Sequence, residues 1–277
     1  MTSHAAAAQG IGRLPVDAHV HFHDRSRVVD TLEAAAANFS ALGLAAGDRV
    51  RGALLLAQSF RERVFEWLRD QPRVDRWQIA AVPAEPQSLW LRSDATEILV
   101  VCGRQVVAEP GLEVLALGTH RRIEDGLGLA ATLEFARSGE GLAVMPWGFG
   151  KWTGRRKRRV REAIDAEKGA DLWMGDNGGR LSVLPKPRLL GEGERRGHAI
   201  LPGTDPFPFW HDYRRVGSFG CVVPVQPDAD RPWHSIRAAL RQAGASPQSY
   251  GRGSGLLAFG LKQARMQFHK HLRGGQA

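Results

Sequence analysis

Near the start of the chain, short apolar segments that predict strands alternate with longer segments that predict helices. This alternation restricts the fold more than any other feature of the sequence. Apolar runs predict strands over residues 14–20 and 50–58, and amphipathic or Ala-rich stretches predict helices over residues 27–42 and 60–70. A strand followed by a helix and a second strand is typical of a parallel sheet or barrel. The sequence therefore predicts an α/β protein.

The middle of the chain departs from this order. Short apolar runs with turn-like breaks cover residues 78–82, 88–92, 97–101, 105–108 and 112–117, and Cys102-Gly103-Arg104 predicts a hairpin turn between two of them. We expect a small antiparallel insertion here. Helices are then predicted over residues 127–138, 155–168, 232–243 and 256–272, with strands over 141–147, 171–175, 199–202 and 216–225. The expected domains are residues 14–225 and a C-terminal helical extension over residues 226–277.

The charge balance is strongly positive. The chain has a formal net charge of +9, carried mostly by arginine, and its densest basic cluster covers residues 155–161. Such a balance suits an anionic partner, although an arginine-rich solvated surface is the preferred explanation. No helix-turn-helix, zinc-finger or aromatic RNA-binding signature accompanies the charge. We therefore expect a small anionic substrate rather than nucleic acid.

Two further features bear on the compartment. No run approaches the roughly 18 apolar residues of a membrane span, and residues 1–10 lack the pattern of a secretory signal. Cys102 and Cys221 lie in apolar runs, which predicts two reduced, buried thiols. We expect a cytoplasmic protein with no membrane segment, and the sequence leaves its oligomeric state open.

Three histidines at alternating positions end the first predicted strand, in residues 17–23 (DAHVHFH). His19 and His21 are two residues apart, so on a strand both imidazoles point the same way and can reach one metal ion. Asp17 is expected on the same face, as a further ligand or as an acceptor that orients a histidine. His23 is expected in the following loop. Solvated histidines are the alternative, but so dense a cluster favours a divalent metal site.

Two carboxylates at other strand ends are candidate partners for these histidines. Asp205 follows an apolar run and Gly203-Thr204, at the type of strand-to-loop junction where barrel enzymes place their chemistry. A carboxylate there could bind metal and accept a proton. Glu113 begins another apolar run and is a candidate metal ligand. A Thr-Asp-Pro turn for Asp205 and an exposed strand-edge acid for Glu113 remain open alternatives.

Two more strand ends supply candidates for catalysis and substrate binding. In residues 147–151 (WGFGK), Lys151 is a candidate for holding an anionic substrate group and Trp147 for walling a pocket; the segment lacks a phosphate-loop signature. In residues 176–180 (DNGGR), Asp176 and Asn177 are candidate oxygen donors, and Arg180 is a further candidate for substrate binding. A tight turn is an equally good interpretation of the second segment.

Three of these motifs together resemble the PHP (polymerase and histidinol phosphatase) superfamily of metal-dependent phosphoesterases. They are His19-x-His21 on the first predicted strand, Gly111-Leu112-Glu113 in the middle of the chain, and Gly203-Thr204-Asp205 near its end. The resemblance implies an α/β fold, a distorted TIM-like (β/α)7 barrel, here with the small antiparallel insertion and C-terminal helices. It also implies a site for divalent ions such as Zn, Mn or Fe.

The sequence departs from this family pattern where three histidines are expected. Met145-Pro146-Trp147 stands in place of an Ala-His-Pro-like motif, Asp176-Asn177 in place of a later histidine, and Asp205-Pro206-Phe207 in place of the final Asp-x-His. The loss of these nitrogen ligands predicts a site for one or two ions. A barrel that has lost catalysis and binds a ligand or a protein is also compatible with it.

The leading hypothesis is a metal-dependent, phosphoesterase-like hydrolase that acts on a small anionic substrate through metal-bound hydroxide. Asp205 or Asp176 would handle the proton, and Lys151 would neutralise developing charge. The expected metal ligands are His19, His21, Glu113 and Asp205.

The amidohydrolase superfamily, with C–N or ester hydrolysis, is the near alternative. It also opens with His-x-His and commonly uses a central lysine, for which Lys151 is the candidate. It usually needs two later histidines, and neither His120 nor His198 stands convincingly at a strand end.

Overall fold

The computed structural model describes residues 12–44, 49–178, 185–208 and 211–251. Within these ranges the strands are β1 Arg13–Val20, β2 Val50–Leu56, β3 Arg73–Val74, β4 Trp77–Ala81, β5 Ser88–Arg92, β6 Thr96–Val101, β7 Gly103–Ala108, β8 Leu112–Leu117, β9 Leu142–Pro146, β10 Trp173–Asn177, β11 Ile200–Gly203, β12 Gly220–Pro224 and β13 Gln248–Tyr250. The α-helices are α1 Val28–Ser40, α2 Val64–Arg69, α3 Leu129–Arg137, α4 Gly154–Ala166, α5 Arg188–Arg195 and α6 Pro232–Ala243.

The strands form two sheets. The first has eight strands in the order β13-β12-β1-β2-β6-β5-β4-β3, and the second has five in the order β11-β10-β9-β8-β7. Parallel pairs join β1 to β2 and β2 to β6 in the first sheet, and β9 to β10 and β10 to β11 in the second. The other pairs in both sheets are antiparallel.

The expected distorted TIM-like (β/α)7 barrel is wrong. The described strands form two sheets and no closed barrel, and only six α-helices accompany thirteen strands. The physical reason is the stretch between α2 and α3, which contains six strands and no helix. Two parallel neighbouring strands need a long crossover connection, usually a helix, and this stretch has only short connections. Most of its strands therefore pair antiparallel with the next strand along the chain. The antiparallel region is therefore no small insertion, because it supplies strands to both sheets.

The hairpin predicted at Cys102-Gly103-Arg104 is also wrong. At this point the chain passes from β6 in the first sheet to β7 in the second. A Cβ atom on Gly103 would lie 2.2 Å from the carbonyl oxygen of Leu56, so glycine is needed here for close approach of two backbones. Both cysteines are buried and free, as predicted, and burial raises the pKa of the Cys102 thiol to about 12.

Helices cover the outer faces of both sheets, and the inner faces share one core. Val16 of β1, Leu117 of β8 and Leu201 of β11 belong to a single cluster of buried apolar side chains, so the two sheets face each other across it. A second cluster packs α1 and α2 on the first sheet, and a third packs α3, α4 and α5 on the second. Burial of these apolar surfaces is the main stabilising term of such layers.

The C-terminal helix predicted over residues 232–243 is confirmed as α6. Its side chains Trp233, Ile236 and Leu240 are part of the shared core. The helix predicted over residues 256–272 lies outside the described residues, and the domain boundary after residue 225 stays a prediction. Within the described ranges, no helix has the length and apolarity that crossing a bilayer demands.

The two sheets approach each other closely at two places that matter for the site. Beside β1, the backbone N–H of Asp205 donates to the carbonyl oxygen of His19 at 2.8 Å, and a Cβ atom on Gly203 would lie 2.3 Å from the His19 nitrogen. Beyond the end of β2, the N–H of Gln105 donates to the carbonyl oxygen of Gln58 at 2.9 Å. These contacts bring residues from β1, β7 and β11 to one edge of the molecule.

Candidate metal centre

The regular alternation of β1 is interrupted just before the histidines. The pairing of β1 with β2 shifts register between Asp17 and Val20, and Ala18 faces the shared core whereas Val20 packs against α1. On an uninterrupted strand these two side chains would lie on one face. The irregularity explains why Asp17 does not share a face with His19, contrary to the expectation from spacing.

Asp17 instead anchors the loop that carries Asp205. Its Oδ1 atom accepts from the Thr204 N–H at 2.8 Å, and its Oδ2 atom accepts from the Thr204 hydroxyl at 2.6 Å and from the Gly217 N–H at 2.9 Å. Burial raises the pKa of the Asp17 carboxyl to about 6, although these hydrogen bonds oppose the shift.

Three predicted ligands converge on one point. The Nε2 atoms of His19 and His21 lie 3.1 Å apart, and the Oδ1 atom of Asp205 lies 3.6 Å from the first and 3.7 Å from the second. Ligand atoms about 2.05 Å from a tetrahedral zinc ion are separated by about 3.4 Å, so the triangle has the size of a coordination sphere. Burial lowers the pKa of His19, which favours the neutral imidazole that binds metal.

Asp205 is held in place by its backbone and by Asn177. Its φ of +46° lies in the left-handed region, which aspartate tolerates better than most residues. The amide nitrogen of Asn177 donates to the Oδ2 atom of Asp205 at 2.9 Å and to the carbonyl oxygen of Trp147 at 2.7 Å. Because Oδ2 is engaged with Asn177, Oδ1 is the oxygen that faces the histidines.

The fourth predicted ligand, Glu113, is engaged elsewhere. Both of its carboxylate oxygens accept from the ammonium group of Lys151. Glu113 is close enough to raise the pKa of His19 by its charge, yet it belongs to neither of the close groups of ligand atoms in the described part of the chain. The structure therefore places Glu113 and Lys151 beside the three converging ligands as an ion pair.

The remaining predicted site residues lie outside the convergence point. Trp147 packs its ring against the core of the second sheet and offers only its carbonyl oxygen to Asn177. Asp176 lies two residues after Met174 on β10, and Met174 packs against the helices on the outer face of the second sheet. Because alternate residues of a strand share a face, Asp176 is placed on the face opposite Asn177. Arg180 lies outside the described residues. His198 is buried, with its two ring nitrogens 2.9 Å from backbone carbonyl oxygens of Leu172 and Ile164.

Sequence reasoning missed two neighbours of the histidines. The Oε1 atom of Gln105 lies 3.1 Å from Nε2 of His19, and Glu62 lies between His21 and His23. The sequence did contain an indication for Glu62. It follows β2, the parallel neighbour of β1, and residues that follow parallel neighbouring strands lie at the same edge of the sheet. No pattern in the sequence indicated Gln105.

The hydrogen bonds around Glu62 perturb two titrating groups. Burial alone would raise the pKa of Glu62, but the two neighbouring histidines, His21 and His23, outweigh it and lower this pKa. Burial likewise lowers the pKa of His23, and its bonds to Glu62 and to the Pro206 carbonyl more than offset this and raise it. Both shifts favour the charged forms of the two side chains.

A cavity of about 310 Å³ lies against His21 and His23. Its walls include Phe207 and Tyr213, and Arg27 is a cation in its lining. A concave site that combines aromatic walls with convergent polar groups is typical of small-molecule binding.

A larger cavity, of about 610 Å³, lies between α3 and α4 and shares no lining residue with the histidine site. It includes part of the basic cluster predicted over residues 155–161. Arg158 and Arg159 form ion pairs with Glu162 of the same helix, and Arg161 pairs with Glu192. These contacts are those of a solvated helix face.

Comparison with known proteins identifies a similar fold and no family. No protein-family model matches the chain, and no curated protein matches it. Among solved structures, the crystal structure of PsfC from Pseudomonas syringae PB-5123 covers 94% of this chain and 99% of its own, with a TM-score of 0.56 and 15% sequence identity. At this identity the similarity concerns the fold alone. The resemblance to the PHP superfamily therefore gains no support and stays a prediction.

Proposed function

We propose that this chain is a metal-dependent hydrolase, phosphoesterase-like, that acts on a small anionic substrate. The observation that supports this most is the triangle formed by the Nε2 atoms of His19 and His21 and the Oδ1 atom of Asp205, with sides of 3.1, 3.6 and 3.7 Å. Three buried or half-buried donors of this type suit zinc, manganese or iron.

The residues present fit such an ion. A divalent ion held there would lower the pKa of a water ligand and polarise a substrate oxygen. His19 and His21 would each contribute an Nε2 atom, and Asp205 would contribute Oδ1 while Asn177 fixes Oδ2. Three protein ligands leave coordination positions open for water and substrate, as in catalytic rather than structural sites.

Charged side chains next to these ligands would bind the anionic substrate and transfer a proton. The ammonium group of Lys151 is half-exposed and can exchange its contact with Glu113 for an anionic substrate group. Arg27 lines the adjacent cavity and pairs with Asp30, and it supplies a second cation by the same kind of exchange. Asp205 belongs to the ligand triangle and would handle the proton, and strand parity places Asp176 on the opposite face of β10 from Asn177. The two free thiols are consistent with a cytoplasmic location.

Metal analysis and turnover test the proposal together. Protein purified without chelator is expected to hold about one equivalent of a transition metal and to hydrolyse an aryl phosphate such as p-nitrophenyl phosphate. His19→Ala should lose both properties, and His120→Ala, at an exposed histidine, should keep both. Wild-type protein with less than a tenth of an equivalent of any transition metal, after growth in metal-supplemented medium, would contradict the proposal.

Two alternatives are separated by the same preparation. Faster metal-dependent turnover of an aryl ester or anilide than of the phosphate would indicate an amidohydrolase-type reaction. Bound metal with no turnover of any of these compounds would indicate a catalytically degenerate, ligand- or protein-binding module. Light scattering on the same preparation would measure the oligomeric state, which the sequence leaves open.

The ligand set itself favours a second candidate function. Two histidines and one carboxylate are also the donors of mononuclear non-haem Fe(II) enzymes that activate O2. Iron in place of zinc in the purified protein, together with substrate-dependent O2 consumption in an oxygen electrode, would favour that function over hydrolysis.

A further inference from the structure

A single carboxylate, that of Glu62, lies between two histidine rings next to the metal-ligand triangle. Its Oε1 atom is 3.0 Å from Nδ1 of His23, and its Oε2 atom is 3.8 Å from Nδ1 of His21. The Ser59 N–H donates to the same Oε2 atom at 2.7 Å. Glu62 is therefore fixed from two sides while one oxygen faces His21.

His23 acts as a hydrogen-bond donor at both ring nitrogens. Its Nε2 atom lies 2.8 Å from the carbonyl oxygen of Pro206, and a carbonyl oxygen only accepts. Its Nδ1 atom faces Glu62, and an ionised carboxylate also only accepts. His23 thus ties Glu62 to the backbone of the loop that carries Asp205.

The ring of His21 needs an acceptor for one proton. A neutral imidazole carries hydrogen on one nitrogen, and Nε2 must present its lone pair if it is to bind an ion together with Asp205. The proton then lies on Nδ1, which is buried and has no hydrogen-bond partner within 3.5 Å in the described part of the chain. The Oε2 atom of Glu62, at 3.8 Å, needs a shift of less than about 1 Å to accept it.

We propose that Glu62 is a positioning residue that accepts the Nδ1–H of His21 and thereby fixes the tautomer whose Nε2 lone pair faces Asp205. His23 holds Glu62 in the required place. Metal-bound histidines commonly donate their other N–H to a carboxylate, and loss of such a partner commonly weakens metal binding by 10- to 100-fold. The proposal rests on the metal site of the proposed function.

A second ion held by His21, His23 and Glu62 is the competing interpretation of the same group. Their ligand atoms do lie within 4.8 Å of one another. However, the two rings are stacked, with centroids 5.0 Å apart and planes 9° from parallel. An imidazole nitrogen binds metal in the plane of its ring, and stacked rings direct their lone pairs along parallel planes rather than at one point. The geometry favours an acceptor role for Glu62.

Zinc affinity and the His21 tautomer test the role of Glu62. In Glu62→Ala, we expect the zinc dissociation constant, from competition with a chromophoric chelator, to rise 10- to 100-fold. In metal-free protein, long-range ¹H–¹⁵N correlation spectra should show His21 as the Nδ1–H tautomer in the wild type and a mixture in the variant. Glu62→Gln, nearly isosteric, serves as a second variant if Glu62→Ala fails to fold. Glu192→Gln, at a partly exposed glutamate that pairs with Arg161 away from the histidines, is the control.

The outcomes separate this proposal from the proposed function. Zinc affinity of Glu62→Ala within twofold of the wild type, with an unchanged His21 tautomer, would overturn the role of Glu62 while the metal site stands. Binding of two zinc ions in the wild type and one in Glu62→Ala would support the second-ion interpretation and overturn ours. A wild-type protein that binds no zinc would refute the metal site, and the tautomer spectra would still decide whether Glu62 sets the proton on His21.

Discussion

Asn177, at the end of β10, orients the carboxylate of Asp205, which follows β11, so that one of its oxygens faces the histidines. Asn177 donates to Oδ2 of Asp205 and to the carbonyl of Trp147, so the carboxylate cannot rotate without losing a hydrogen bond. We expect Asn177→Ala to weaken zinc binding by about 10- to 100-fold, measured by chelator competition. Asn38→Ala is a matched control, because Asn38 also donates to two acceptors but touches no ligand. Equal losses of affinity in both variants would contradict this role of Asn177.

We expect Asp17 to make the stability of the metal-free protein depend on pH. Its pKa is raised to about 6 in the folded state by burial, above the roughly 3.9 of an unfolded chain. The stability that this group contributes is fully present below about pH 4 and is lost as pH rises through about 6, a change of about 3 kcal/mol. Urea denaturation of metal-free wild type and Asp17→Asn between pH 4 and 7 measures it. The difference in stability between the two should fall as pH rises, and parallel curves would rule this out.

At the scale of residues, the sequence predicted the part of the site that depends on local spacing. The two-residue interval between His19 and His21 indicated shared orientation, and Asp205 was expected at a strand end. Glu62 follows β2, the parallel neighbour of β1, whereas Gln105 reaches the histidines only through the pairing of the end of β2 with β7. Such pairing leaves no periodicity in the chain.

Among the elements, α6 packs its apolar side chains into the shared core, and one buried glutamate holds its N-terminus. The carboxylate of Glu85, between β4 and β5, accepts from the backbone N–H groups of Trp233 and His234 at 2.8 Å each. These N–H groups belong to the first turn of the helix and have no partner within it. The Glu85 carboxylate also complements the positive end of the helix dipole.

Removal of this carboxylate tests how α6 is held. Glu85→Ala leaves two buried donors unsatisfied, and we expect it to lower the free energy of unfolding by about 2–4 kcal/mol, measured by urea denaturation. Glu85→Gln keeps one acceptor and should lose less. Zinc affinity should remain that of the wild type in both variants, since α6 supplies no residue to the ligand triangle. A fall in zinc affinity would show that α6 and the site are coupled.

The boundaries of many elements were predictable, and their partners were not. The runs over residues 88–92 and 112–117 coincide with β5 and β8, because strand formation follows local apolar pattern. Gly103 was interpreted as a turn, since glycine is common in turns. Its actual role is to allow β7 to approach the end of β2, and that requirement arises only when the sheets are assembled.

For the whole molecule, the site lies where the two sheets meet. His19 lies near the end of β1 in one sheet and His21 follows that strand, whereas Asp205 follows β11 in the other sheet. The barrel expectation was wrong because strand–helix alternation does not specify which strands become neighbours. Yet the closeness of β1 and β11 brought the ligands together all the same.

A bound ion should therefore stabilise the entire fold rather than one loop. An ion that binds only the folded state adds about 2.7 kcal/mol at 100 times its dissociation constant. For a chain of this size we expect Tm to rise by roughly 5–10 °C with zinc, measured by calorimetry. Glu85→Ala should show the full rise from a lower starting Tm, because its defect lies outside the site. His19→Ala should show none, and a rise equal to that of the wild type would mean that zinc binds elsewhere on the protein.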